Sequence, residues 1–159
     1  MARLWRKIKK TGRVAEPAPP KSSSAVKVGE LVGSVQLRHV DAGSCNGCEV
    51  EIASAFGPVY DAERYGARLV ASPRHADALV VTGPVTRNME VALRRTFEAV
   101  PEPRLVVALG DCARNCGVFA GAYGVAGAVG DVVPVDVEVP GCPPRPEEIV
   151  AALRDLTGR

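Results

Sequence analysis

Four of the five cysteines in the chain have the neighbours and spacing expected of metal ligands. Cys45 and Cys48 form a Cys-x-x-Cys motif, whereas Cys112 and Cys142 each stand alone in glycine- or proline-rich stretches. Four thiolates gathered from three separate loops are the usual ligand set of an iron–sulfur cluster. Electron transfer is therefore the leading hypothesis from these residues.

Two other kinds of thiol site compete with this interpretation. Zinc also binds four thiolates, but structural zinc sites usually come as two closely spaced pairs, and only one such pair is present. A lone Cys-x-x-Cys motif is also typical of thioredoxin-type redox proteins, although that function would leave Cys112 and Cys142 unexplained. A single cysteine on its own would be interpreted as a small buried apolar residue.

The segments that must position these cysteines alternate between strand and helix patterns. Continuous apolar runs of the kind found in buried parallel strands alternate with amphipathic stretches. Strands are predicted at 35–40, 67–71, 78–82, 104–109 and, in part, 133–139. Helices are predicted at 49–56, 88–100 and 146–156, the last one opened by Pro146.

This alternation predicts an α/β fold with a central parallel sheet and helices on both faces. Ligands of such sheets bind beyond the carboxyl ends of the strands. Cys45, Gly83, Cys112 and Cys142 all follow predicted strands, so we expect them to meet at one edge of the sheet.

Composition and charge limit the number of domains and the kinds of partner that the chain can have. The 159 residues are 47% hydrophobic and 4% aromatic, which suits one compact domain, predicted over 33–159. Residues 1–14 carry six basic and no acidic residues and are predicted to be a basic, amphipathic or disordered tail, followed by a flexible linker at 15–32. The remaining fourteen bases against 18 acids give the body a net charge of −4. Because the folded body is acidic, we expect no nucleic-acid partner.

The N-terminal segment and the apolar stretches bear on where the chain resides. The basic start is not followed by an apolar secretory segment, and no stretch reaches the roughly 18 apolar residues of a membrane span. We therefore expect a chain in the reducing cytoplasm, where clustered cysteines more often bind metal than form disulfides.

Three motifs together resemble a known family. They are Cys45-Asn46-Gly47-Cys48-Glu49, Gly110-Asp111-Cys112-Ala113 and Pro140-Gly141-Cys142-Pro143-Pro144, and Thr82-Gly83-Pro84 fits the same pattern. The set resembles the small subunit of membrane-associated [NiFe] hydrogenases of the formate-hydrogenlyase type. It also resembles the related 20 kDa subunit of respiratory NADH–quinone oxidoreductase. That subunit typically has adjacent cysteines in the first motif, so the spacing of Cys45 and Cys48 favours the hydrogenase branch.

The resemblance implies a flavodoxin-like fold and one [4Fe–4S] cluster held by Cys45, Cys48, Cys112 and Cys142. It further implies a non-catalytic electron-transfer subunit whose large-subunit partner carries the active site, with a nickel–iron centre in a hydrogenase. A ferredoxin-like electron-transfer subunit and membrane subunits complete the implied complex, at the cytoplasmic face of the membrane. A subunit of a nickel-free quinone- or ferredoxin-linked oxidoreductase is the alternative, and a zinc-binding scaffold is a third.

Predictions also concern residues outside the four cysteines. Cys116 stands where the family commonly has glycine; it is a bystander, a substitute ligand or a tuner of the cluster, and bystander is favoured. Glycine lets the backbone approach a cluster closely, and this role is predicted for four residues: Gly47, Gly83, Gly110 and Gly141. Carboxylates that could relay protons beside the cluster are Glu49 and Glu51. Arg87 and Arg114 are candidate contacts with a partner or with the cluster charge, or plain surface residues. His39 and His75 are interpreted as non-ligands.

Overall fold

The computed structural model describes residues 2–12 and 33–159. Seven strands are described: β1 (Val35–Asp41), β2 (Ala67–Leu69), β3 (Ala78–Thr82), β4 (Val85–Thr86), β5 (Leu105–Leu109), β6 (Val125–Gly127) and β7 (Val137–Val139). Five of them form a parallel sheet in the order β2-β1-β3-β5-β7, and β4 pairs with β6 in a small antiparallel sheet. Numbered within the parallel sheet, the order is 2-1-3-4-5, which is that of flavodoxin-like folds. The predicted fold class is confirmed.

Five α-helices accompany these strands in the described part of the chain: α1 (Ala2–Thr11), α2 (Gly47–Ala55), α3 (Arg87–Ala99), α4 (Asp111–Asn115) and α5 (Pro146–Thr157). Short 3₁₀ turns lie at Ala62–Tyr65, Pro73–His75, Gly117–Phe119 and Val129–Asp131. No helix among the described residues has the length and apolar character to cross a bilayer. The predicted linker at 15–32 lies outside the described residues.

Apolar residues cover both faces of the parallel sheet, which divides the core in two. All five residues of β3 are buried, as expected of a central strand, and alternate residues point to opposite faces. Val80 packs in one core with Ile52 of α2 and Leu153 of α5. Val81 packs in the other core with Leu93 of α3. The helices therefore hold the sheet from both sides and leave its strand ends to carry the loops.

Local sequence signals explain where α5 begins and ends. Pro146 occupies the first turn, where its missing N–H costs nothing. The Glu148 carboxylate accepts a hydrogen bond from the backbone N–H of Arg145 at 2.9 Å, which satisfies one of the free donors at the helix start. Gly158 adopts the left-handed conformation that commonly ends a helix.

Three sequence-based boundaries need correction. The predicted strand at 67–71 ends at Leu69, and the predicted segment at 133–139 is strand only from Val137. In the second case the Asp136 side chain accepts a hydrogen bond from the N–H of Val106, so a carboxylate takes the place of one backbone pairing. The helix predicted at 49–56 begins two residues earlier, at Gly47.

Candidate metal centre

The four predicted cysteine ligands border a single cavity at the carboxyl edge of the parallel sheet. The cavity has a volume of about 110 Å³, and its walls come from the loops that follow β1, β3, β5 and β7. Cys48 and Cys112 are buried, whereas Cys45 and Cys142 are exposed, and none of the four is in a disulfide. The expectation that Cys45, Cys48, Cys112 and Cys142 meet at one edge therefore agrees with the geometry.

The loop after β1 is shaped by the Asp41 side chain. One Asp41 carboxylate oxygen accepts hydrogen bonds from the N–H groups of Gly43 and Ser44, both at 2.8 Å. This local turn reverses the chain and brings Cys45 to the mouth of the cavity. Cys48 then lies in the first turn of α2, where it faces the core.

The loops that carry Cys112 and Cys142 are joined by reciprocal hydrogen bonds. The backbone N–H of Asp111 donates to the carbonyl of Gly141 at 2.8 Å, and the N–H of Gly141 donates to the Asp111 carboxylate at 3.1 Å. Arg114 donates to both Asp111 and Glu138, at 3.2 and 2.8 Å. Asp111 thus fixes the relative position of two ligand loops, a role that sequence reasoning missed. An acid directly before a candidate ligand was the available signal.

Glycine is required where these loops approach each other. Gly83 has φ +75°, and a β-carbon there would overlap the backbone nitrogen of Ser44. Gly110 has φ +91°, and a β-carbon there would lie 2.7 Å from the sulfur of Cys48. Gly47 and Gly141 also line the cavity. All four predicted glycines therefore lie at or beside the cavity. For Gly83 and Gly110 the reason is steric, because a β-carbon at either position would be crowded.

Electrostatics within the cavity disfavour free thiolates. Burial, followed by the nearby Glu49 carboxylate and the other three thiols, raises the pKa of Cys48 to about 12. Burial and the neighbouring Cys142 and Cys45 raise the pKa of Cys112 as well. Four thiolates can share this space only with a cationic centre that offsets their charge.

Cys116 does not share the cavity with these four cysteines, although its backbone N–H donates to the carbonyl of Cys112 at 3.0 Å. It caps the C-terminus of α4 with φ +66° and does not line the cavity. Its thiol pKa is raised by burial and then by Asp131, with no contribution from the four cavity cysteines. That Cys116 is a bystander stays a prediction.

The other predicted residues are divided between the site and the surface. Glu49, in the first turn of α2, accepts hydrogen bonds from Ser44 and Thr82. Glu51 lies two residues further along α2, is half-buried and does not line the cavity. Arg87 is exposed and lies over the ring of Tyr123, 4.8 Å from its centroid.

The two histidines also differ in their surroundings. His39 contacts Thr82 and Glu49, and burial lowers its pKa while Glu49 opposes that shift. His75 is exposed in a 3₁₀ turn. Neither lines the cavity, and that they are not ligands stays a prediction. Sequence reasoning missed the contact between His39 and Thr82, for which the polar residue ending an apolar strand was the only signal.

The donor set and the cavity have the chemistry and the room that an iron–sulfur cluster needs. No three His, Cys, Asp or Glu side chains within residues 2–12 and 33–159 are arranged around a point that could hold one metal ion. The four thiols instead surround a space much larger than an ion, and the glycine at 110 leaves room beside Cys48 that a β-carbon would fill. Soft thiolate ligands select iron–sulfur clusters, zinc or copper(I), and a cavity of about 110 Å³ leaves room for a cluster.

Comparison with known proteins identifies the family. Residues 45–156 match the model of the NADH ubiquinone oxidoreductase 20 kDa subunit family, and this range spans all four cavity cysteines. The chain belongs to this family. The resemblance predicted from the three cysteine motifs is confirmed.

Relatives within the family come from membrane-bound complexes and from hydrogenases. A probable membrane-bound hydrogenase subunit, mbhJ, of Pyrococcus furiosus is 50% identical over 112 residues, which cover 70% of this chain and 67% of the relative. Formate hydrogenlyase subunit 7 of Escherichia coli is 43% identical over 79% of this chain, which spans about half (49%) of that protein. A chain in the structure of the membrane-bound sulfane sulfur reductase, an archaeal respiratory membrane complex, superposes with a TM-score of 0.71 at 30% identity. That match covers 85% of this chain and 75% of the other.

Proposed function

We propose that this chain is the electron-transfer small subunit of a membrane-associated [NiFe] hydrogenase-type complex. It carries one [4Fe–4S] cluster, held by Cys45, Cys48, Cys112 and Cys142. The observation that carries the proposal is the shared cavity, which four cysteines from three loops border at one sheet edge. Membership in a family of oxidoreductase subunits supports it.

When bound, the cluster supplies one-electron transfer. The contribution of this chain is to hold the cluster at a fixed place and to set its environment. The buried Cys48 and Cys112 anchor the inner side, while the exposed Cys45 and Cys142 lie at the mouth of the cavity. At Gly83 and Gly110 the loops pack so closely that a β-carbon would clash with Ser44 or crowd the Cys48 sulfur. Such packing limits solvent exposure, which is one determinant of cluster potential.

The large subunit covers the mouth of the cavity. Two exposed ligands would leave a cluster open to oxidants, so a partner has to close this face. In the segment after Cys116, the side chains of Val118 and Tyr123 are 83% and 87% exposed, as expected of apolar residues that a partner covers. A ferredoxin-like subunit exchanges electrons with the complex. Membrane subunits hold the complex at the cytoplasmic face of the membrane. Similarity to subunits of membrane-bound complexes supports the association with membrane subunits.

A second candidate is a subunit of a nickel-free oxidoreductase that reacts with quinone, ferredoxin or a sulfur compound. The likeness to a chain of the membrane-bound sulfane sulfur reductase favours it. The two candidates assign the same cluster to this chain and differ only in the large subunit. Nickel analysis and an assay of hydrogen evolution on the purified complex distinguish them, since only the hydrogenase requires nickel.

Anaerobic purification of the tagged full-length chain with its partners tests the proposal. We expect a brown complex that contains about four iron atoms and about four sulfides per copy of this chain beyond those of the other subunits, as one [4Fe–4S] cluster requires. The matched control is the same complex with Cys48→Ala, which should lack that increment. A colourless chain that contains zinc would instead support the scaffold alternative.

A further inference from the structure

A carboxylate beside the first cysteine loop is held from two sides by hydroxyl groups. Ser44 Oγ donates a hydrogen bond to Glu49 Oε2 at 2.7 Å, and Thr82 Oγ1 donates to Glu49 Oε1. Ser44 precedes Cys45, whereas Thr82 is the last residue of β3. The first turn of α2 is therefore tied both to its own loop and to the centre of the parallel sheet.

A third group, His39, completes the arrangement. His39 Nε2 lies 2.9 Å from Thr82 Oγ1 and 3.4 Å from Glu49 Oε1. The Thr82 hydroxyl has one hydrogen, which it gives to Glu49, so its oxygen accepts from His39. This order places a hydrogen on Nε2 and orients the Thr82 hydroxyl toward the carboxylate. Thr82 is fully buried, so no water replaces this interaction if the hydroxyl is removed.

The network reaches both cysteines of the motif through the backbone. Glu49 follows Cys48 directly, and the Ser44 oxygen that donates to Glu49 also accepts from the N–H of Asn46 at 3.0 Å. One carboxylate thus fixes the chain on both sides of Cys45. We infer that Thr82, supported by His39, is a positioning residue: through Glu49 it sets where Cys45 and Cys48 hold the cluster.

The inference rests on the proposed function, because the cluster is what the two cysteines position. Residues that orient metal ligands are expected to change affinity and spectroscopic properties when they are replaced, since the ligands then relax to other geometries. A buried threonine that served stability alone would change the melting temperature and leave those properties as they were.

Three variants of the full-length chain, purified anaerobically in its complex, separate these roles. Thr82→Val keeps the shape and removes the hydroxyl, whereas Thr82→Ser keeps the hydroxyl. Thr157→Val is the matched control, because Thr157 is also fully buried and its hydroxyl donates a hydrogen bond to the carbonyl of Arg154 at the end of α5. Neither Thr157 nor Arg154 lines the cavity. The measurements are the rate of iron loss to a chelator, the electron paramagnetic resonance (EPR) spectrum of the reduced cluster and its midpoint potential.

We expect Thr82→Val to lose iron roughly tenfold faster than the wild type, with a changed EPR line shape and a shifted potential. Thr82→Ser should restore all three, and Thr157→Val should lower only the melting temperature. If Thr82→Val does not assemble, Ser44→Ala, which removes the other hydroxyl from Glu49, should show the same changes at smaller size.

Each contrary result has a defined meaning. Wild-type values in both Thr82→Val and Ser44→Ala would overturn the inference and leave the proposed function intact. Equal changes in Thr157→Val would show that the effect follows from lost stability, and would overturn it as well. A wild-type complex without a cluster in this chain would overturn the proposed function and the inference together.

Discussion

Replacement of Gly110 by alanine should expel the cluster by displacing Cys48. Gly110 has φ +91° and ψ 159°, a conformation open almost only to glycine, and a non-glycine residue there costs about 1–3 kcal/mol. The new β-carbon would also lie 2.7 Å from the Cys48 sulfur and 3.4 Å from the carbonyl oxygen of Gly141. Overpacking of this kind costs about 1–3 kcal/mol more. The combined cost of about 2–6 kcal/mol is a large part of the 5–15 kcal/mol that stabilises a typical domain.

The assay compares iron content and melting temperature of the complex with those of Gly121→Ala. Gly121 also has a positive φ, +76°, but a β-carbon there would meet nothing within 4 Å. We expect Gly110→Ala to lose most of the iron assigned to this chain, and Gly121→Ala to keep it with a loss of about 1 kcal/mol in stability. Equal iron content in both variants would refute the reasoning that Gly110 makes room for the Cys48 sulfur.

Three further predictions concern the loops, the tail and the partner. Asp111→Asn should lower the free energy of unfolding by about 1 kcal/mol and weaken iron retention, because Gly141 and Arg114 lose a charged hydrogen-bond acceptor. An unchanged melting temperature and an unchanged rate of iron release to a chelator would contradict this. Deletion of residues 2–12, which contain α1 with its five cations and exposed Leu4 and Trp5, should release the complex from anionic liposomes at lower salt, since each cation contributes up to about 1 kcal/mol. Equal retention of both forms across a salt series would leave a protein contact or a disordered tail. Expressed alone, the chain should be poorly soluble and should lose its cluster in air, and coexpression with the large subunit should correct both defects. An air-stable monomer with a full cluster would instead indicate a free electron carrier.

The main elements of the fold could be predicted because their signals are local and strong. β3 matches its predicted range of 78–82, since a fully buried strand shows as a continuous apolar run. α5 begins at Pro146 as predicted, because proline and two acids mark a helix start. The five-residue α4, the 3₁₀ turns and the β4–β6 pair were missed. They are too short for a periodic pattern and depend on tertiary contacts.

The cysteine set could be predicted for a topological reason, whereas its support could not. Parallel strands bring their carboxyl ends to one edge, so cysteines after separate strands had to be near each other. The contact of His39 with Thr82 depends on the register between β1 and β3, which pairs His39 with Val80, and a single sequence does not contain that register. Asp111 and Gly141 are likewise 30 residues apart. Interactions between loops therefore had to come from the structure.

The most direct test of the account is an EPR comparison of five single cysteine variants. Each cysteine is replaced by alanine in the full-length chain, and the complex is purified and reduced under anaerobic conditions. We predict that variants of Cys45, Cys48, Cys112 and Cys142 lose the [4Fe–4S] signal of this subunit, and that the Cys116 variant keeps it, because Cys116 does not line the cavity. A Cys112 variant that retains the signal, together with a Cys116 variant that loses it, would contradict the ligand set on which the proposed function depends.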